Sequence, residues 1–146
     1  MEMKLVLGEG LRKKLIEKAR GSPVEVCGFL FGKKTDEMLQ VVEVRFVPNR
    51  LNSPRAFEME PEAMLEALEW GEERKLDVVG IFHSHLGCPA VPSERDLRGM
   101  LLWPVVWLIF SDVDGLRAWV LENGQTREVE IEVGGGEERQ AMSSTS

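Results

Sequence analysis

Asp77-Val78-Val79-Gly80-Ile81-Phe82-His83-Ser84-His85 is the stretch on which the reading of this chain turns. Between Asp77 and its last three residues it is apolar and partly β-branched, the pattern of a strand that runs through a sheet and ends at its rim. Along a strand, residues i and i+2 point to the same face, so the imidazoles of His83 and His85 converge. They are the only two histidines in the chain. Neutral imidazole is the commonest metal ligand, although His-x-His at a strand end is also what two polar groups bonded to their neighbours look like.

Downstream, residues 86–92 read as a loop, and Ser93-Glu94-Arg95-Asp96 followed by Leu97, Met100 and Leu101 reads as the start of a helix. Ser-x-x-Asp is a capping-box pattern, with Ser93 as N-cap and Asp96 in the first turn. Capping and ligation are compatible, because the helix dipole favours an anionic oxygen there and a metal ligand must offer one. His83, His85 and Asp96 make three protein ligands for Zn2+, leaving the fourth tetrahedral position for water, the mark of a catalytic site. Upstream, Glu25 stands among apolar neighbours in Pro23-Val24-Glu25-Val26-Cys27-Gly28-Phe29-Leu30-Phe31-Gly32, where an acid can simply be solvated at a strand end. Beside a zinc set, a carboxylate that takes the proton of the attacking water is the natural general base.

Leu11, Leu15, Ile16 and Ala19 recur at helical spacing and predict a first helix over 9–20, closed by Gly21-Ser22-Pro23. Residues 24–31 and 38–47 predict two strands joined across 32–36, and Glu25 and Cys27 share a face of the first. A loop follows over 48–54, then a short extended piece over 56–59. Pro61 suits a first helical position, with Met64, Leu65 and Leu68 opposite Glu62, Glu66, Glu69 and Glu73. A strand over 105–110 and a hairpin of 115–122 with 127–133, turning at Asn123-Gly124, complete the pattern. Three tryptophans, Trp103, Trp107 and Trp119, are expected in the core, and Trp70 packs the second helix. The order of elements predicts an α/β fold, a mixed sheet with helices packed on it, in one domain over 1–133. Residues 134–146, rich in Gly, Ser and charge, predict a flexible tail.

The chain has 146 residues, 43% hydrophobic and 29% charged, which fits one ordinary globular domain. Its net charge of −7 and lack of a basic stripe argue against a nucleic-acid partner. The longest apolar stretch, 100–110, is shorter than the roughly 20 residues a spanning helix needs and contains Pro104, and the N-terminus has no signal-peptide pattern. A cytoplasmic protein with no membrane partner is expected. Two cysteines, Cys27 and Cys88, leave open a single bridge but not a disulfide framework.

The combination of Glu25, His83-x-His85, seven intervening residues and Ser93-x-x-Asp96 resembles the signature of the JAMM (MPN+) metallopeptidases position for position, within matching context from 24 to 110. The resemblance implies an MPN fold, a curved mixed sheet with flanking helices. It also implies a zinc-dependent peptidase acting on isopeptide or linear peptide bonds after the C-terminal Gly-Gly of ubiquitin-like small modifier proteins. In small stand-alone members of the archaeal desampylase type, the substrates are small modifiers or related sulfur carriers. Carried over by position, His83, His85 and Asp96 hold one Zn2+, Glu25 is the general acid/base, and Ser93 supports the oxyanion. The one departure is Leu86, where proline is frequent in the family, which puts the stiffness of the 86–92 loop in question. A homodimer is compatible with the resemblance.

Two other readings use the cysteines. A structural Cys2His2 zinc site would take Cys27, Cys88, His83 and His85 in a binding module. A thiol peptidase would pair Cys88 with His85, but lacks a third orienting group. Oxidation of Cys88 is a further way of modulating the site. The loops 48–59 and 86–92 are the expected walls of a channel for an extended tail lying beside a sheet edge.

Overall fold

A computed structural model of the chain describes residues 3–134. Their elements are β1 (Lys4–Leu7), α1 (Glu9–Arg20), β2 (Cys27–Lys34), β3 (Met38–Val47), α2 (Pro61–Glu73), β4 (Asp77–His85), α3 (Glu94–Leu102), β5 (Val106–Ser111), β6 (Gly115–Glu122), β7 (Gln125–Val129) and β8 (Ile131–Val133). The helix starts follow from local chemistry. Pro61 occupies the first turn of α2, where its missing N–H costs nothing, and Glu60 caps the helix by accepting from the Glu62 and Ala63 amides. Ser93 and Asp96 form the reciprocal capping box of α3.

All eight strands form one sheet in the order β7-β6-β5-β4-β2-β3-β1-β8. Pairing is parallel for β1 with β3, β1 with β8 and β4 with β5, and antiparallel elsewhere, so the sheet is mixed. Its two outer strands, β7 and β8, are neighbours in sequence, separated only by Glu130, whose carbonyl accepts from the Leu5 amide. The sheet is therefore curled until its two edges nearly meet. This corrects the single strand expected over 127–133: the chain leaves one edge at Val129 and joins the other at Ile131, because Leu5–Leu7 offers it a free ladder there.

Side-chain alternation gives the sheet two apolar faces. Leu30, Phe82, Leu108 and Phe110 join Leu15 and Ala19 of α1 in one cluster. Phe29, Phe31, Ile81, Trp107 and Ile109 join Ala67 of α2 and Met100 of α3 in the other. Each buried Leu, Ile, Phe or Met among them contributes about 1.5–3 kcal/mol relative to exposure. Both helices of the second face approach the sheet through a glycine: a Cβ on Gly71 would lie 2.2 Å from the Phe31 ring, and one on Gly99 2.5 Å from Trp107. Trp107 and Trp119 are core residues, as their apolar context predicts, whereas Trp103 is only partly buried and forms the C-cap of α3. Trp70 packs on Phe31 with ring centroids 5.5 Å apart. The final hairpin turns through Asn123 and Gly124, both at positive φ.

β2 begins at Cys27, not at 24 as the apolar run suggests. Its ladder with β4 ends at the pair Cys27 and His83, and the Val26 amide is taken instead by the Ser84 hydroxyl at 2.8 Å. Glu25 thus lies just outside the strand. Of the predicted tail, residues 135–146 lie outside the described residues. Among the described residues, no helix is long and apolar enough to cross a membrane.

Candidate active site

β4 is paired with β2 on one side and β5 on the other, and its last residues carry His83 and His85 onto the face covered by α2 and α3. The two imidazoles converge, with centroids 4.9 Å apart. Ligand atoms of Glu25, His83 and His85 all lie within 4.8 Å of one another. Asp96, brought in by the first turn of α3, faces both rings: Oδ1 is 3.3 Å from His83 Nε2, and Oδ2 is 3.1 Å from His85 Nε2. All four residues are buried. The site residues expected on chemical grounds are therefore in one place, at the rim of the sheet.

His83 is enclosed by aromatic rings: Phe57 stacks on it at 4.6 Å and Trp107 meets it edge-on at 5.6 Å. Both of its ring nitrogens are sealed from solvent without a hydrogen bond, because the Asp96 oxygen at 3.3 Å is not aligned for one and the Glu25 oxygen at 3.6 Å is too far. Unpaired buried polar atoms are rare and costly. For His85, Nδ1 donates to the Pro89 carbonyl at 2.8 Å, so in the neutral ring Nε2 turns a lone pair toward the Asp96 carboxylate. Two facing acceptors need a proton or a cation between them. Two buried carboxylates, Glu25 and Asp96, have the two histidines as their ion-pair partners among the described residues, so a dication also balances the charge. The donor set, N and O atoms around one point, suits Zn2+.

Without a metal, the electrostatics show the same strain. Burial pushes the His83 pKa down, but the Asp96 and Glu25 carboxylates outweigh it and raise it to about 9. Burial pushes Asp96 up, and the imidazoles of His83 and His85 with the Ser93 amide more than reverse this, holding it well below the usual carboxylate range. Ser93 is exposed; its hydroxyl oxygen accepts from the Asp96 amide at 3.1 Å, leaving the O–H free to donate beside the site.

The cysteines stay out of this cluster. Cys27 is fully buried, its Sγ donates to the Val47 carbonyl at 3.3 Å, and burial together with the Glu25 charge pushes its thiol up to about 12. Cys88 is exposed, and burial of part of its surface with the nearby Glu25, Asp112 and Asp96 carboxylates raises it too. Both thiols are free, and neither environment favours the thiolate that a Cys2His2 site or a thiol nucleophile needs.

The 86–92 loop is stiff despite Leu86. The Gly87 amide donates to Asp112 at 3.0 Å and the Ala90 amide to Asp114 at 2.8 Å. Ser111 Oγ donates to the Cys88 carbonyl, Trp119 Nε1 to Ala90 at 2.8 Å, and His85 to Pro89. The β5–β6 turn replaces the rigidity that a proline would bring. Opposite, segment 56–59 passes the site, its Met59 bridged to Asn49. Between this segment and α3 lies a cavity of about 490 Å3 that reaches Asp96 and is lined by Phe57, Met59, Met64, Gly99, Leu102 and Trp107, among others. It is the 56–59 piece and α3, more than the 86–92 loop, that wall this cavity.

Phe57, Trp107 and Asn49 are the site residues that sequence reasoning missed. Phe57 carries no local signal. Trp107 shares strand parity with Ile109 opposite His83, which a strand register would have revealed. Pro48-Asn49 after a strand is a turn signal, and the Asn49 side chain does accept from the Leu51 amide two residues on.

The family described as prokaryotic homologs of the JAB domain matches residues 9–122. The chain is 49% identical over 130 residues to a desampylase of Pyrococcus furiosus, covering 88% of this chain and 90% of that one. It is 37% identical over 107 residues to a probable TtuB-protein conjugate cleaving protease of Thermus thermophilus, covering 73% of this chain and 68% of that one. A desampylase of Haloferax volcanii is 35% identical over 113 residues, covering 76% and 79%. The solution structure of a protein from Desulfitobacterium hafniense superposes with a TM-score of 0.79 at 27% identity, covering 88% of this chain and 92% of that one. With a matching family model over most of its length and its buried Glu, His, His and Asp at the sheet rim, the chain belongs to the prokaryotic homologs of the JAB domain and is a peptidase of the JAMM class.

Proposed function

We propose that this protein releases ubiquitin-like small modifiers from their conjugates by hydrolysing the isopeptide bond after a C-terminal Gly-Gly, with one Zn2+ held by His83, His85 and Asp96. The observation that carries this reading is the buried cluster itself, two imidazoles and two carboxylates whose charges and lone pairs ask for a dication. Its relatives' names, desampylase and TtuB-protein conjugate cleaving protease, point to modifier conjugates as the substrate class.

When bound, zinc supplies Lewis-acid polarisation of the scissile carbonyl and a more acidic water. Glu25, inside the cluster beside the three proposed ligands and completing its charge balance, takes the proton of the attacking water and returns it to the leaving lysine amine. The free O–H of Ser93 donates to the oxygen on which negative charge develops. Phe57 and Trp107 keep water from the His83 side of the centre, strengthening these interactions.

The tail fits the 56–59 segment as an added strand. Arg50 donates to the Glu58 carbonyl and Glu60 to Pro48, which commits the backbone of Glu58 and Glu60 to one side. The alternate residues Phe57 and Met59 have no backbone partner among the described residues, and both line the cavity that reaches Asp96, which leaves their amides and carbonyls available to an added strand. Glycine at the last two tail positions permits the close approach that a side chain would block.

The test is cleavage of a lysine-linked Gly-Gly modifier conjugate and of a linear fusion of the same modifier, each with and without phenanthroline. Release that the chelator stops and zinc restores is expected, and a bulky residue at the penultimate position should slow it strongly. Equal rates on bulky and Gly-Gly tails would defeat the substrate model.

A further inference from the structure

Glu25 sits where no ladder holds it. β2 starts at Cys27, so the backbone of Glu25 depends on the neighbouring loop: its N–H donates to the Ser53 carbonyl at 2.9 Å and its carbonyl accepts from Asn49 Nδ2 at 3.1 Å. The Asn49 amide does more. Nδ2 also donates to the Ala56 carbonyl at 3.0 Å, with Ser53 O further off at 3.5 Å, and Oδ1 accepts from the Leu51 and Glu58 amides, each at 3.1 Å. A primary amide has two N–H donors and an oxygen with two lone pairs, so its whole hydrogen-bonding capacity is in use. Those partners also fix which way the amide points. No other side chain reproduces the set: aspartate lacks the donors, serine is too short, and glutamine is one methylene longer.

Asn49 therefore joins two parts of the site that are far apart in sequence, the segment bearing Glu25 and the segment 56–59 that borders the cavity at Asp96. We infer that Asn49 is a positioning residue that sets the Glu25 carboxylate against the substrate-binding segment, so that tail binding and base placement are coupled through one amide. This deepens the proposed isopeptidase reading and rests on it for its catalytic consequence. Asn49 touches neither the histidines nor Asp96, so the metal set should not depend on it.

Two substitutions load the two halves of the joint differently, one keeping the Glu58 bond to the 56–59 segment and the other keeping none. Asn49→Asp keeps the acceptor bonds from Leu51 and Glu58 and replaces the donors to Glu25 and Ala56 by an oxygen that repels their carbonyls. Asn49→Ala removes all of them. With zinc content and a cooperative melt confirming folded, loaded protein, Asn49→Asp is expected to lower kcat roughly 10-fold to 100-fold, the cost of about an ångström of misplacement, with KM on a Gly-Gly conjugate changed less than about twofold. Asn49→Ala should lower kcat similarly and also raise KM. Hydrogen exchange supplies a readout that needs no substrate: the Glu25 amide should exchange about tenfold faster or more in Asn49→Asp, while Phe82 and Leu108 in the sheet stay as protected as in the native chain. If the native chain fails to cleave the conjugate, the substrate reading fails while the exchange experiment still judges the joint. Unchanged exchange at Glu25, or native kcat in fully loaded Asn49→Asp, would overturn the proposal, as would equal changes of kcat and KM in the two variants.

Discussion

His83 and His85 stand on a strand locked by ladder bonds, whereas Glu25 stands two residues before its strand begins and is held by side chains and a loop carbonyl. The first arrangement fixes the histidines through backbone pairing that almost any apolar sequence can make. The second depends on particular groups: Ser84, whose hydroxyl accepts from Val26, Ser53, whose carbonyl accepts from Glu25, and Asn49. The proposed metal ligands and the proposed general base thus have different sources of rigidity. Damage to the loop should reach the base first and leave the metal in place, while damage to the rim of β4 should do the reverse.

The largest effect should come from the ladder-held side. Replacing both His83 and His85 by alanine is expected to take zinc from one per chain to none in metal analysis, and turnover with it. Full zinc in that variant would mean that the rim of β4 is not the metal site.

The pH dependence of the metal-free protein sharpens the contrast. His83 has a folded pKa raised to about 9 from its ordinary value, so protonation favours the fold. Its contribution is fully present below about 6.5 and is lost as pH rises through about 9. The chelated protein should therefore melt lower at pH 9.5 than at pH 6, by more than about 3 °C, the shift that about 1 kcal/mol makes in a domain of this size. The zinc-loaded protein should not follow, because ligation requires neutral imidazole and is favoured by rising pH. Parallel melting curves for the two forms would contradict this account of His83.

A smaller effect is expected from Asp114→Ala. It removes the bond to the Ala90 amide at 2.8 Å and the ion pair with Arg117 at 3.0 Å, but leaves the Ser111, Asp112 and Trp119 anchors of the 86–92 loop. Stability by denaturant should fall by about 1 kcal/mol, and zinc should leave to a chelator a few-fold faster because His85 is oriented by Pro89 of that loop. Unchanged zinc release would show that the loop does not steady His85. The smallest effect should come from the thiols. Cys88 should react with a maleimide in the folded protein and Cys27 only after unfolding, and substituting Cys88 by serine should leave zinc content unchanged. Loss of zinc there would revive a thiolate site.

Most of the site was legible because its signals are local. Period-2 alternation places His83 beside His85, and a capping box places Asp96 in a first turn, each within a few residues of sequence. Pro61 and Asn123-Gly124 announce their helix and turn for the same reason. What escaped depends on contacts between distant segments. Val24-Glu25-Val26 reads as strand by composition, yet Ser84 takes the amide that a ladder would have used. The split at Glu130 arises because the curled sheet brings β1 to meet the chain's end, which no window along 127–133 contains. Phe57 reaches His83 only after the 48–59 loop has folded over β4.

The central claim, a zinc centre with Glu25 as its base and not its ligand, is tested most directly by Glu25→Gln, assayed for zinc and for release of a modifier from a lysine-linked Gly-Gly conjugate. The account predicts one zinc per chain in both proteins, with turnover reduced by roughly 100-fold to 10,000-fold in the variant. Loss of zinc from Glu25→Gln, or native turnover with zinc retained, would contradict it.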